Sequence, residues 1–299
     1  MLLRNETLST EAKRHFALER NPFVDEIQTR ADVFASKSIR YVRAALLDAA
    51  LNNGFLAIIG ESGSGKSTLA EELEQRIADE GRPVRMIRPY VLGMEDSEAR
   101  GKPMKAGQIS EAIMRTLAPT TSLKSSPDAR FAQLHDTLKA SRKAGYSHLL
   151  VIEEAHRLPK STIKQLKGFT ELKSGLARLM GVALIGQPEL TIKLSDQSPE
   201  VREVVQRCEV LELPPLDAEL EPYLDHKFSR AGKPVDQVLA ADAYEAIRGR
   251  LIRTPRGGKA ADAVSVCYPL VVNNLVVRAM NAAARVGMAQ VDASVIEGC

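Results

Sequence analysis

The most chemically pointed stretch of the chain is Gly60, Glu61, Ser62, Gly63, Ser64, Gly65, Lys66, Ser67 and Thr68, reading GESGSGKST. Its spacing is G-x-x-x-x-G-K-[ST] in full, after the apolar run Phe55–Ile59 and before a helix-forming stretch. Glycines let backbone N–H groups turn inward around a phosphate chain. The helix N-terminus that follows adds partial positive charge. Lys66 is placed to reach the β- and γ-phosphates, and the Ser67 hydroxyl to ligate Mg²⁺. The expected ligand pair is therefore ATP and Mg²⁺.

A second group of residues supplies what hydrolysis needs. Leu149 to Ile152 is an apolar run followed directly by Glu153 and Glu154. Two carboxylates at such a strand end suit two roles: Glu153 in the magnesium shell and Glu154 polarising the attacking water. The alternative for both is a pair of solvated loop acids. Glu153 is one methylene longer than the Asp usual at its position.

The elements that must hold these groups follow from apolar spacing. Phe55–Ile59, Leu149–Ile152, Val182–Ile185 and Val210–Leu213 read as buried strands, with Val84–Ile87 as a weaker one. Helical spacing covers 37–53, 66–78, 107–118, 127–144 and 160–177. Strands alternating with helices predict an α/β fold with a five-stranded parallel sheet covered on both faces. A catalytic acid beside the third strand favours the extra-strand type, with Val84–Ile87 as the strand from the region between the two motifs. After Pro214-Pro215 the segments 217–231, 240–251, 268–286 and 292–297 are helical in character, so a small all-helical C-terminal domain is expected. The divisions are 1–20 as an N-terminal helical extension, 21–215 as the nucleotide-binding core and 216–299 as a helical lid. Ser9 or Thr10 would cap the first helix.

Bulk properties narrow the class. The chain has 299 residues, 44% hydrophobic and 26% charged, with a formal net charge of +3. That suits a soluble globular protein of about two domains. Three widely spaced cysteines, Cys208, Cys267 and Cys299, suggest neither a zinc site nor a disulfide framework. No apolar stretch reaches membrane-spanning or signal-peptide length, so no membrane and a cytoplasmic setting (a bacterial cell or phage-infected host) are expected.

Asn21-Pro22-Phe23, the phosphate loop, VIEEAHRLP (151–159), ALIGQPEL (183–190) and an arginine before the last strand occur in one order. This order resembles AAA+ ATPases of the ExeA-like and transposition-regulator group, with the MuB, TniB and TnsC type of target-selection ATPase most similar. The resemblance covers roughly residues 18–230. It implies a P-loop AAA+ core with a lid and an ATPase whose turnover is slow and stimulated by DNA or a partner. Gln187 takes the sensor-1 position at a strand end, where a plain turn set by Pro188 is the alternative. Arg207 is the implied arginine finger on a neighbouring subunit's ATP, with Arg202 as the competing candidate. Phe23 matches the segment near the adenine ring, or makes an ordinary core contact. The stretch Tyr268 to Asn274 lacks the arginine of a sensor-2 motif; Arg253, Arg256 and Arg278 lie before and beyond it.

Charge is unevenly spread. Residues 100–143 hold nine Lys/Arg against three acids, and 157–178 hold six against one. Lys160, Lys164 and Lys167 share one helix face, and Arg100, Lys102 and Lys105 lie in a glycine-bearing stretch after the second strand. Such clusters either grip a DNA backbone with little sequence specificity or form a solvated basic face. The resemblance implies double-stranded DNA, a transposase and a homo-oligomer (ring or helical filament) as partners. Together these give an ATP-dependent DNA-binding ATPase that oligomerises on target DNA and directs a transposase. A secretion or envelope-assembly ATPase acting on proteins, or a replication-type helicase loader, is the alternative.

Overall fold

The computed structural model describes residues 6–23, 29–90, 103–195, 201–254 and 259–299. Arg100, Lys102 and Arg256 lie outside the described residues. These residues form two compact units. One comprises 37–61 and 66–213, and the other 1–36, 62–65 and 214–299.

The larger unit is built on a parallel sheet of β1 (Phe55–Ile59), β2 (Val84–Ile87), β3 (Ser147–Ile152), β4 (Gly181–Gly186) and β5 (Glu209–Glu212), in the spatial order β2-β3-β4-β1-β5. Every residue of β1, β3 and β4 is buried. That is why these strands read as unbroken apolar runs rather than alternating ones. The alternation is still there, hidden between two faces. Phe55, Ala57, Ile59, Leu150, Ile152, Val182 and Leu184 enter one core cluster. Leu56, Ile58, Leu149, Val151, Ala183 and Ile185 enter the other. Helices Ala106–Leu117, Pro127–Lys143 and Lys160–Thr170 cover the first face through Ile109, Ile113, Leu134, Leu138, Ile163 and Leu166. Helices Lys37–Asn52 and Lys66–Asp79 cover the second through Val42, Leu46, Leu69 and Leu73. Each such buried aliphatic side chain contributes roughly 1.5–3 kcal/mol.

The sheet is of the expected extra-strand type, and Val84–Ile87 is a strand as expected. β4, not Val84–Ile87, stands between β1 and β3, pairing Ile59 with Gly186 and Ile152 with Leu184. Val84–Ile87 closes the edge beyond β3. The entry to β4 is tight. A Cβ on Gly181 would come within 2.5 Å of the Ala49 carbonyl oxygen and 2.9 Å of that of Gly54.

Two helical expectations also need correcting. The helix starting at Lys160 stops at Thr170, not 177, and Lys173–Ser174 and Ala177–Arg178 form a minimal antiparallel hairpin. Gly175 at its turn has φ +62°, a left-handed conformation that ends helical continuation. The C-terminal segment is not all-helical: Ile252–Arg253 pairs antiparallel with Val264–Ser265.

The second unit packs helices Thr10–His15, Leu220–Arg230, Ala243–Arg250, Pro269–Val286 and Ala293–Glu297 around one core, with Phe228, Ile247, Val272, Leu275, Val276, Met280 and Ala283 buried. Ser9 caps the first helix by accepting from Ala12 N–H at 3.0 Å. The buried Asn281 side chain ties that segment down, accepting from Ser9 N–H at 2.9 Å and donating to the Thr7 carbonyl at 3.1 Å. The long helix ends at Gly287 (φ +72°), a left-handed C-terminal stop. Among the described residues no helix is long and apolar enough to cross a membrane.

Candidate functional site

Parallel strands present their carboxyl ends at one edge, where ligands of open α/β sheets bind. The loop after β1 begins there, with Gly60 N–H donating to the Gly186 carbonyl at the end of β4 (3.2 Å). Gly63 and Gly65 take φ of +78° and +92°, which side chains rarely adopt. The helix opens at Lys66 immediately afterwards. Ser64 and Lys66 are buried, while Glu61, Ser62 and Ser67 are exposed.

The Lys66 ammonium donates to the carbonyls of Gly60 and Glu61, both at 2.7 Å. Burial lowers its pKa from the usual 10.5, and the charges of Glu154 and then Glu61 oppose that shift. An ammonium held this way is poised for an anion whose charge would repay its desolvation. No further cation from the loop competes for that role.

The acidic pair is brought to the same edge but its members are held differently. Arg88, the residue after β2, donates to Glu153 at 2.5 Å and to Glu74 at 2.8 Å. Glu154 sits in the left-handed region (φ 51°, ψ 32°) and starts the short turn Ala155–Arg157. For a non-glycine residue this costs about 1–3 kcal/mol, and such strain clusters at functional sites. The turn swings the Glu154 carboxylate to 3.7 Å from His156 Nε2 and 3.6 Å from Arg157 Nε.

His156 connects this acid to the fourth strand. Its Nδ1 accepts from Gln187 N–H at 3.3 Å. A ring nitrogen that accepts has no proton, so the neutral ring carries its proton on Nε2, facing Glu154. Burial lowers the His156 pKa, against the charges of Glu154 and Glu189. The close approach depends on Gly186, where a Cβ would lie 2.9 Å from Leu190 Cδ2 and 3.1 Å from His156 N. Gln187 itself is half-buried at the strand end.

A magnesium ion bound with nucleotide prefers oxygen ligands and usually takes only one or two from protein. The Ser67 hydroxyl and the Glu153 carboxylate fit that donor set. Among the described residues no denser metal-binding cluster exists.

Phe23 is buried in the second unit's core, edge-on to Phe228 with ring centroids 5.6 Å apart, so its ring makes the ordinary core contact. Arg207 is half-exposed and donates to Glu171 at 2.7 Å. Arg202 is exposed. Lys105, Lys160 and Lys164 are exposed, and Lys167 is half-buried with Glu203 as its ion-pair partner. Arg278 lies 3.8 Å from Glu6. Two site residues escaped sequence reasoning. Arg88 was hidden because its partner is 65 positions away, and His156 because a lone His in VIEEAHRLP carries no spacing signal.

Residues 50–194 match the family described as AAA domain. General secretion pathway protein A of Aeromonas hydrophila is 27% identical over 154 residues, covering 52% of this chain and 25% of that protein. The chain thus spans about a quarter of that relative's length. Among solved structures, Drosophila ORC bound to DNA aligns at a TM-score of 0.57 and 13% identity, covering 100% of this chain and 68% of that one. The Aeropyrum pernix ORC2 protein (ADPNP-ADP complexes) aligns at 0.55 and 17% identity, covering 93% and 70%. Cdc6p from Pyrobaculum aerophilum aligns at 0.54 and 15%, covering 93% and 68%. At these identities the likeness is one of fold, a five-stranded parallel α/β sheet with helices on both faces.

Proposed function

We propose that this chain, with its AAA domain and phosphate loop, is an ATP-hydrolysing switch that assembles on duplex DNA and directs a transposase. The observation that carries the ATPase reading is the convergence of Lys66, Ser67, Glu153 and Glu154 on one sheet edge, with β4 inserted between the loop strand and the acid strand. Lys66 holds the β- and γ-phosphates. Ser67 and Glu153 would hold Mg²⁺, which would supply charge neutralisation on the phosphate oxygens. Glu154 accepts the proton of the attacking water, its orientation fixed by the strained turn and by His156. Gln187 is the polar group that faces the γ-phosphate. A half-exposed Arg207 is the finger for a neighbouring subunit's nucleotide, which makes the working form a homo-oligomer, ring or filament.

The DNA part rests on the exposed Lys160 and Lys164 on one helix, on the uneven basic charge, and on the order of motifs shared with transposition regulators. One structural neighbour is itself described as bound to DNA. Contacts of this kind reach phosphates and carry little sequence information, as target selection over many sites requires. The test is duplex-DNA binding with ATP, with ADP and without nucleotide, across a salt series. ATP-selective affinity that falls steeply with salt is expected. Equal binding in all three states overturns the switch.

A second reading has its own support. The named relative is a secretion-pathway protein, which favours an ATPase acting on protein partners. It predicts nucleotide turnover without ATP-dependent DNA affinity.

A further inference from the structure

Separate from the phosphate-binding edge, the larger unit contains a cavity of about 1250 Å³. It opens between the first turns of helices Ala106–Leu117 and Pro127–Lys143, the last turns of Lys160–Thr170, and the short helix Arg202–Val205. None of its lining residues belongs to the loop, the acidic pair or the fourth-strand end.

Its lining has two chemistries. The apolar part is centred on Phe131 and Phe169, whose ring centroids lie 6.1 Å apart at 55°. Phe169 is buried, but Phe131 is 41% exposed, high for a phenyl ring that could have been covered. Around these rings stand Lys105, Arg130, Lys164, Lys167 and Arg202, against only Glu171 and Glu203. Both carboxylates are already engaged: Glu203 with Lys167, and Glu171 with Arg207 and Lys167. Among the described residues neither Arg130, Lys164 nor Arg202 has a carboxylate within ion-pair distance, although Lys164 is close enough to Glu203 to favour its charged form, and Arg130 donates to the Lys124 and Ser125 carbonyls.

An aromatic floor rimmed by Arg130, Lys164 and Arg202, none of them in an ion pair among the described residues, is not the surface a DNA backbone selects. Phosphates need cations on a convex or grooved face and gain nothing from a recessed phenyl pair. Nor does the volume suit a small cofactor, since small-molecule pockets are commonly about 300–1,000 Å³. A recessed aromatic anchor site with a charged rim is the anatomy of a protein–protein hot spot.

We propose that this cavity docks an acidic segment of a partner protein, with one apolar or aromatic side chain seated on Phe131 and Phe169 and flanking carboxylates paired to Arg130, Lys164 and Arg202. The site is separate from the phosphate loop and acidic pair, and it competes with the DNA reading above for Lys164. It assigns Lys164 and Arg202 to protein recognition.

The experiment is a nucleotide-free titration of the full chain with a fluorescein-labelled peptide of Asp and Glu around a single Phe. Its controls are the same peptide with Ser in place of Phe and a duplex DNA of equal charge. The acidic peptide is expected to bind, and Ser in place of Phe to weaken it. Lys164→Glu and Phe131→Ala are each expected to weaken it about tenfold, the range of an interface anchor. Both sites are exposed, and thermal melts run alongside establish that the variants fold; Arg130→Glu replaces either that does not. No binding to the wild-type chain overturns the proposal, as does binding that neither variant weakens. Loss of DNA affinity in Lys164→Glu without any peptide affinity also overturns it and returns these cations to nucleic acid. Because nucleotide is left out, a negative result leaves the ATP switch untouched.

Discussion

The guanidinium of Arg88 meets the Glu153 carboxylate at 2.5 Å across the carboxyl ends of β2 and β3, and reaches Glu74 at 2.8 Å with its other nitrogen. Each side chain of the Arg88–Glu153 pair is 23–30% exposed, so the pair is screened less than a surface bridge but is not sealed from water. Its value lies in geometry: it fixes one carboxylate of the acidic pair where its partner, Glu154, is fixed by backbone strain.

With Glu153 in the proposed Mg²⁺ role, Arg88→Ala is expected to leave nucleotide affinity nearly intact and to lower turnover about tenfold or more, the usual cost of losing a partner that orients a metal-site carboxylate. Arg88→Lys should recover part of that loss, since it keeps the charge without the forked geometry. Steady-state hydrolysis over a magnesium series beside nucleotide titration checks both. A variant with unchanged turnover at every magnesium concentration would show that the ion pair serves only the fold.

Glu154 allows its chemistry to be separated from its backbone strain. Glu154→Gln keeps the side-chain shape and removes the proposed base, so turnover should fall by about 10²–10⁴ with nucleotide still bound. Glu154→Gly should lose as much turnover, yet be the more stable of the two by about 1 kcal/mol, because glycine enters φ 51° without the Cβ clash. Denaturant midpoints of the two variants decide the matter. Equal stability would mean that the turn is not strained.

How much of this was legible in the sequence depends on the range of the interaction involved. The phosphate loop and the acidic pair are local strings between an apolar run and a helix, and their spacing alone places them at one edge of a parallel sheet. The buried strands were equally plain, because β1, β3 and β4 are covered on both faces, and only Ser147 and His148 at the start of β3 interrupt their apolar runs. The hairpins at 173–178 and 252–265 were not, since two-residue strands have no period to read. Arg88 and His156 were invisible for another reason. Arg88 finds Glu153 only through the register that sets Ile87 beside Leu150. His156 meets Gln187 only because β4, rather than β2, lies between β1 and β3.

That insertion makes Gly186 a sharp probe. Gly186→Ala would push a methyl group against Leu190 Cδ2 (2.9 Å) and the His156 backbone nitrogen (3.1 Å). The leucine can turn away, but the backbone of the acid-bearing turn has less room. A destabilisation of about 1–3 kcal/mol is expected, together with a loss of turnover larger than the loss in nucleotide affinity. Gly181→Ala clashes with backbone oxygens at the other end of the same strand. It should cost stability while leaving the turnover of the folded fraction unchanged. Thermal melts and kinetics on the pair separate a site effect from a fold effect.

Lys66 gives the pH dependence of binding. Burial holds its pKa below the usual 10.5 in the nucleotide-free chain, with Glu154 and Glu61 only partly offsetting that shift. A bound triphosphate places further negative charge beside the ammonium and raises the pKa. The bound form then carries more protons than the free form wherever pH lies between the two values. Affinity is fully present below the lowered pKa of the free chain, declines as pH rises through it, and levels off above the raised pKa of the complex. Proton uptake on ATP binding is thus expected between the lowered pKa of the free chain and the raised pKa of the complex, and absent well below the lower of the two. Calorimetry in two buffers of different ionisation enthalpy measures it directly. Lys66→Met should abolish both the uptake and most of the affinity. Uptake that persists in that variant would move the titrating group away from the phosphate loop.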